Sequence, residues 1–242
     1  MIVFPAIDIK DGKCVRLTQG RFDQQTVFSD IPGEMAIKWQ QEGAEYLHLV
    51  DLDGALTGVR KNIETIRELL YLTNVPVQFG GGVRDIASIE TMLEFGIKRV
   101  VLGSVAISNP ALVKEACQKY GEQIAVGIDA RANEVAVEGW SKSGGVKADE
   151  LAKQMADAGV QRIIFTDIER DGKLSGINAE EAARIARGSG LKVIASGGAS
   201  SLADIERLKK YEADGIEGVI IGKAIYTGIL SLADAIKAAR GE

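Results

Sequence analysis

Histidine occurs once in the 242 residues, at His48, and cysteine twice, at Cys14 and Cys117. These are too few and too scattered for a disulfide framework or a metal cage, which argues against a transition-metal mechanism. No apolar run approaches the ~18 residues of a membrane span. Asp8, Lys10, Asp11 and Lys13 interrupt the start of the chain, where a targeting segment would show a basic region followed by an apolar core. A cytoplasmic protein with no membrane partner is expected. Basic residues do not outnumber acidic ones: 29 Lys and Arg stand against 34 Asp and Glu, for a net charge of −5. That balance argues against nucleic acid as a partner, since such binding relies on a basic face, but it leaves room for phosphate held locally. What is present is 46% hydrophobic residues with 26% charged, a composition that buries a large core in one globular unit. The length matches the roughly 250 residues of an eight-fold β/α barrel.

The chain is organised around a stretch that occurs twice. Val193-Ile-Ala-Ser-Gly197-Gly198 leads through a helix-like segment to Val219-Ile-Ile-Gly222-Lys223. Earlier, Val77-Gln-Phe-Gly80-Gly81-Gly82 leads in the same way to Val100-Val-Leu-Gly103-Ser104. Each copy is an apolar, β-branched run that stops at glycines where a helix would begin, an arrangement that aims backbone N–H groups at a phosphate. Around these copies, apolar runs from Ile2, Tyr46, Val75, Arg99, Ile124, Arg162, Val193 and Gly218 alternate with helix-like segments. Cys14 to Leu17 and Glu134 to Val137 read as outward hairpin arms. Asn178, with Glu181 three residues on, reads as the cap of a helix running to Arg187.

Eight strands alternating with eight helices predict a parallel sheet, either a closed barrel or a doubly wound open sheet. The repeat decides for the barrel. Asp129 follows Asp8 by 121 residues, Gly197 follows Gly81 by 116 and Gly222 follows Gly103 by 119. Such offsets describe two (βα)4 halves, about residues 1–121 and 122–242, in one (β/α)8 TIM barrel domain. Strands four apart face each other across such a barrel, so the two glycine cradles lie on opposite sides of the mouth. Asp8 and Asp129 face each other on the line crossing between them. An elongated bisphosphate with two carboxylates at its middle is the substrate this geometry describes.

Each residue also has a plainer reading. Glycines at strand ends serve tight turns, but two copies in register speak for a shared purpose. Lys223 opens a short helix and offers its backbone N–H. Asp8 and Asp129 could pair with Lys10 and Arg131, yet carboxylates inside an apolar strand pattern suit acid and base work. His48 reads as a hydrogen-bonded core histidine. Trp140 is either packing or a lid that stacks on a flat ring. Of Asp51, Asp167 and Asp171, only Asp171, beside Gly172, looks free to reach a ligand.

Several motifs together resemble a known family: Pro5-Ala-Ile-Asp8 running on to Arg16 and Gly20, His48-Leu-Val-Asp51, Gly80-Gly-Gly-Val-Arg84, Val126-Gly-Ile-Asp129, Gly139-Trp140, Thr166-Asp-Ile-Glu-Arg-Asp171-Gly and Ala195-Ser-Gly-Gly. Across essentially the whole chain they are similar to the phosphoribosylformimino-aminoimidazole-carboxamide ribotide isomerases of histidine biosynthesis. The resemblance implies an Amadori rearrangement with no cofactor; a monomer is expected, although the sequence does not give the oligomeric state. It implies Asp8 as general base at C2 and Asp129 as general acid at the ring oxygen, with Thr166 positioning the reacting group and Asp171 assisting. It also implies one phosphate on Gly81, Gly82, Gly103 and Ser104, the other on Gly197, Gly198, Gly222 and Lys223, and substrate contacts from Arg16 and Arg84. Three alternatives bear on this. The cyclase next in the same pathway typically has lysine where this chain has Arg16, and lacks the Gly139-Trp140 ending. Bifunctional isomerases that also take phosphoribosyl anthranilate tend to carry an arginine shortly before the tryptophan, where this chain has Val137 and Glu138. A catalytically silent phosphosugar-binding barrel is the reading from another class.

Overall fold

The first strand, β1 (Ile2–Lys10), begins a ring that the rest of the chain completes. In the computed structural model, which describes residues 1–18, 20–140 and 142–242, eleven further strands follow. They are β2 (Lys13–Thr18), β3 (Arg21–Ser29), β4 (Leu47–Asp51), β5 (Val77–Gly80), β6 (Arg99–Leu102), β7 (Ile124–Arg131), β8 (Glu134–Val137), β9 (Lys142–Lys147), β10 (Arg162–Asp167), β11 (Lys192–Ser196) and β12 (Ile216–Ile221). Eight of them, β1, β4, β5, β6, β7, β10, β11 and β12, pair in parallel, and β12 returns to β1. The sheet is therefore a closed (β/α)8 barrel, as the alternation and the repeat predict.

Eight principal helices wrap it: Pro32–Gln41, Ile63–Leu72, Ile86–Glu94, Pro110–Tyr120, Ala148–Asp157, Ala179–Ser189, Leu202–Lys209 and Leu232–Arg240. Strand residues that point outward, such as Ile7, Leu49, Phe79, Val126 and Val193, are buried against these helices. Those that point inward form a second, smaller core of Phe4, Ala6, Val101, Ala125, Ile164, Ile194 and Ile220. This double burial explains why the strands read as continuous apolar runs and not as alternating ones. The end of the barrel away from the cavity carries a two-pronged ion pair, Arg162 Nε to Glu217 Oε2 at 2.8 Å and Nη2 to Oε1 at 2.9 Å. Glu217 is only half-buried, so the cost of removing it falls below the ~3–5 kcal/mol of a fully buried pair.

Local signals behave unevenly. Asn178 caps its helix, its Oδ1 accepting from the Glu181 N–H, but the Glu181 carboxylate turns to Arg184 instead of reaching back. The reciprocal capping box lies at Ser201 and Asp204. Both hairpin arms exist, and each has a returning partner that the sequence reading left out, β3 and β9. Neither returning strand shows a clear alternation: β3 carries Asp23, Gln24 and Gln25 in mid-strand, and β9 carries Gly144 and Gly145.

The two halves repeat in detail. Asp51 accepts from Asn62 Nδ2 at 2.7 Å, and Asp167 accepts from Asn178 Nδ2 at 2.9 Å. A Cβ on Gly81 would stand 2.3 Å from the Asp51 carbonyl oxygen, and one on Gly197 would stand 2.5 Å from that of Asp167. Both glycines also have positive φ, +117° and +96°. The glycine pairs are thus required by packing against the preceding loop, before any ligand is considered.

Candidate active site

At the carboxyl ends of the barrel strands a cavity of about 260 Å³ opens. Its wall brings together Asp8, Arg16, Gly81, Gly82, Arg84, Gly103, Ser104, Asp129, Trp140, Thr166 and Asp171. Asp8 continues the inward row Phe4, Ala6 of β1, because strand side chains alternate faces and Ile7 and Ile9 pack outward. Asp129 holds the corresponding place on β7, which stands opposite β1 with three strands between them on either side.

The two carboxyls have different surroundings. Arg16, on the adjoining hairpin strand β2, brings Nη1 to 2.8 Å from Asp8 Oδ2. The approach is off the N–H direction, so Nη1 and Nε of this buried guanidinium make no directed hydrogen bond. Burial pushes the Asp8 pKa above the usual carboxylate range, and the Arg16 charge opposes the rise. Among the described residues no cation pairs with Asp129. Its Oδ2 accepts from Trp140 Nε1 at 2.8 Å, and Thr166 stands beside it in register on β10. Burial raises this pKa too, against the pull of those two neutral groups. A hydroxyl both donates and accepts, so Thr166 can serve either protonation state of Asp129.

Asp171 reaches the same space from the loop after β10. Burial pushes it up to about 6; Arg16 and Lys223 oppose the rise, while Asp8 and Asp129 add to it. Three carboxyl groups that sense one another in a buried space share protons as a set. Near neutral pH this cavity can therefore both hold and release a proton.

The cradles differ in access. In the first, nothing lies within 4 Å of where a Cβ on Gly103 would be, so its backbone faces open space. The N–H groups of Ser104 and Val105 open the short helix Val105–Ser108 without partners among the described residues. Arg84 Nη2 donates to the Ala55 carbonyl at 3.3 Å, at the rim. In the second, Gly197, Gly198, Gly222 and Lys223 stand outside the cavity wall, although Ser196 and Ile220 line it. Arg16 lies directly on Gly222, where a Cβ would meet Nη2 at 2.0 Å. Lys223 Nζ donates to the Gly172 carbonyl at 2.8 Å, fastening the Asp171 loop over this side.

Trp140 sits on a turn in which Glu138, Gly139 and Trp140 all have positive φ. For Trp140 this is an unusual conformation, and it carries the indole inward to Asp129 and onto Gly20 of the other hairpin. Asp51 and Asp53 receive both amide hydrogens of the buried Asn62, and so order the loop after β4 instead of facing the cavity. Three polar lining residues lie outside the sequence-based set: Ser196, Glu138 and His48. Ser196 was legible in principle, since it is in register with Thr166 on the neighbouring strand.

A family profile described as "Histidine biosynthesis protein" matches residues 2–231. Similar proteins carry the name 1-(5-phosphoribosyl)-5-((5-phosphoribosylamino)methylideneamino)imidazole-4-carboxamide isomerase. That of Desulforamulus reducens is 53% identical over 242 residues, covering 100% of this chain and 98% of its own. That of Trichlorobacter lovleyi is 53% identical over 236 residues, with 98% and 96% covered. That of Heliobacterium modesticaldum is 48% identical over 240 residues, with 99% and 98% covered.

Proposed function

This chain belongs to the histidine biosynthesis protein family, and on that footing we propose how its cavity divides the labour of an Amadori rearrangement. The reaction is an aldose–ketose isomerisation of a bisphosphate ribosylamine in histidine biosynthesis. Protonation of the ring oxygen lets the C1–O bond break as the amine lone pair forms a C=N bond. Loss of the C2 proton then gives an enolamine, which becomes the aminoketose. Asp129 supplies the first proton. Its burial without a cation favours the protonated form, and Trp140 and Thr166 fix its orientation. Asp8 takes the C2 proton, with the Arg16 charge opposing the rise in its pKa that burial causes. Asp171 joins the proton exchange from its loop. The cycle moves protons within one substrate, so no cofactor enters it.

Gly81, Gly82, Gly103 and Ser104 receive one phosphate on backbone N–H groups. Gly197, Gly198, Gly222 and Lys223 receive the other once Arg16 and the Asp171 loop make room, and Arg84 meets the substrate at the rim. Two remote phosphates align the sugar between the carboxyls and supply binding energy for ring opening. We read the working unit as a monomer in the cytoplasm, a compartment that suits two buried, unpaired thiols.

The observation that carries the reading is the opposed carboxyl pair, one beside a cation and one beside neutral donors. Offering the purified protein the aminoimidazole-carboxamide ribosylamine and phosphoribosyl anthranilate separately tests it. Turnover of the first compound alone is expected. Comparable turnover of both makes the enzyme bifunctional, and turnover of neither leaves a binding barrel.

A further inference from the structure

One row of three inward-facing polar side chains takes no part in that scheme: His48 on β4, Gln78 on β5 and Arg99 on β6. They form a row across adjacent strands, His48 in register with Gln78 and Gln78 with Arg99. The second half has Ile164, Ile194 and Gly218 in the corresponding row, again in register. The barrel can therefore be built here without polar groups. Burying them is costly unless each is hydrogen-bonded, so their presence on one side only calls for a reason.

The hydrogen bonds run in one direction. Arg99 Nη1 donates to Gln78 Oε1 at 2.9 Å. A guanidinium has donors only, so Gln78 must turn its oxygen to Arg99 and its amide hydrogens away from it. That amide nitrogen lies 3.1 Å from His48 Nδ1. An amide NH₂ only donates, which makes Nδ1 the acceptor, and a neutral imidazole with a bare Nδ1 carries its proton on Nε2. Burial and the Arg16 charge push the ring's pKa down to about 3, so the imidazole stays neutral. With Nδ1 engaged, Nε2–H is the polar group His48 has left to offer the cavity it lines. The ring is level with Ala6, two residues below the level of Asp8 and Val50.

We propose that Arg99 and Gln78 are positioning residues that lock His48 as its Nε2–H tautomer, a neutral hydrogen-bond donor to a sugar oxygen of the substrate beneath Asp8. The tautomer follows from the row itself; the sugar as acceptor rests on the isomerase reading. A neutral donor bonds more strongly as negative charge gathers on that oxygen during C2 deprotonation, and it does not compete with Asp129 as the acid.

His48 is the only histidine, so the ¹⁵N imidazole spectrum of the labelled protein reports this ring alone. Wild type should show protonated Nε2 and bare Nδ1, unchanged between about pH 5 and pH 9. A spectrum with the proton on Nδ1, or a ring that titrates in that range, overturns the relay. In Gln78→Glu the carboxylate can only accept, so the proton should move to Nδ1 and kcat should fall about tenfold while KM changes less than about threefold. A proton moved to Nδ1 with kcat unchanged overturns the role in catalysis. His48→Ile, which copies Ile164, should fold with a native circular dichroism spectrum and lose kcat by a factor of about ten to one hundred; full activity in that variant also overturns the role. Absence of turnover by wild type removes the sugar acceptor together with the isomerase reading, whereas the spectrum tests the tautomer independently.

Discussion

Asp8 and Asp129 stand at equivalent ends of β1 and β7, yet each half of the barrel provides for its carboxyl in its own way. The Lys10–Lys13 pairing of the first hairpin corresponds to the Arg131–Glu134 pairing of the second. By that register Arg16 has Val137 as its counterpart, and among the described residues no cation reaches Asp129. The loop scaffolds behind them, Asp51 with Asn62 and Asp167 with Asn178, remain alike. Duplication thus sets where the groups stand, and the side chains that escaped it set which group keeps a proton. Access differs as well: the first cradle opens to the cavity, and the second lies under Arg16 and the Asp171 loop.

Removing either carboxyl should break the comparison outright. Asp8→Asn and Asp129→Asn are each expected to lower kcat by about 10²–10⁴-fold, the usual contribution of a positioned acid or base, as steady-state kinetics would measure. A variant with undiminished turnover would sink its assignment. Arg16→Val gives the first half the residue of the second. Asp8 then loses its cation and its pKa rises further. Because the base must be ionised, the ascending limb of the kcat/KM profile should move up by about one to three pH units.

A smaller effect is expected from Trp140→Phe, which keeps an aromatic ring but removes the donor to Asp129. The loss of one hydrogen bond is worth about 1 kcal/mol, or roughly fivefold in rate. As the ionised form loses support, the pKa of Asp129 rises and the descending limb moves to higher pH. The smallest difference concerns Asp171. Its pKa is raised on folding, so the folded chain binds the proton more tightly than the unfolded chain does. That contribution is complete below the ordinary value of 3.8 and is lost as pH rises to about 6. Asp8 and Asp129, also raised by burial, act in the same direction, so the fall in urea midpoint should be smaller in Asp171→Asn than in wild type, and an equal fall would remove Asp171 from the account.

The barrel was legible because doubly buried strands write themselves as apolar runs, and the near-constant offsets between Asp8 and Asp129 and between the glycine pairs close the ring. The returning hairpin strands were not, since residues 24–27 of β3 are exposed and no residue of β9 is fully buried, which leaves little to impose alternation. Among site residues, the carboxyls betrayed themselves by standing in apolar runs. The covering of the second cradle did not, because it depends on where the long side chains of Arg16 and Lys223 come to rest. His48 was read as a core histidine held by hydrogen bonds. It is held that way, by Gln78, but its place on the cavity wall comes from inter-strand register that a linear pattern does not contain.

The contact between Trp140 and Gly20 joins the two hairpins across the barrel's mouth. A Cβ at Gly20 would stand 2.3 Å from the indole, so this glycine lets the indole seat fully. A solute that enters between the hairpins would part that contact, and its free energy would then be subtracted from the apparent affinity. Closed over a bound substrate, the same contact would keep bulk water from it. The mouth thus behaves as a toll on residence time: a bulkier residue at position 20 should exchange product faster and protect the open-chain intermediate less well.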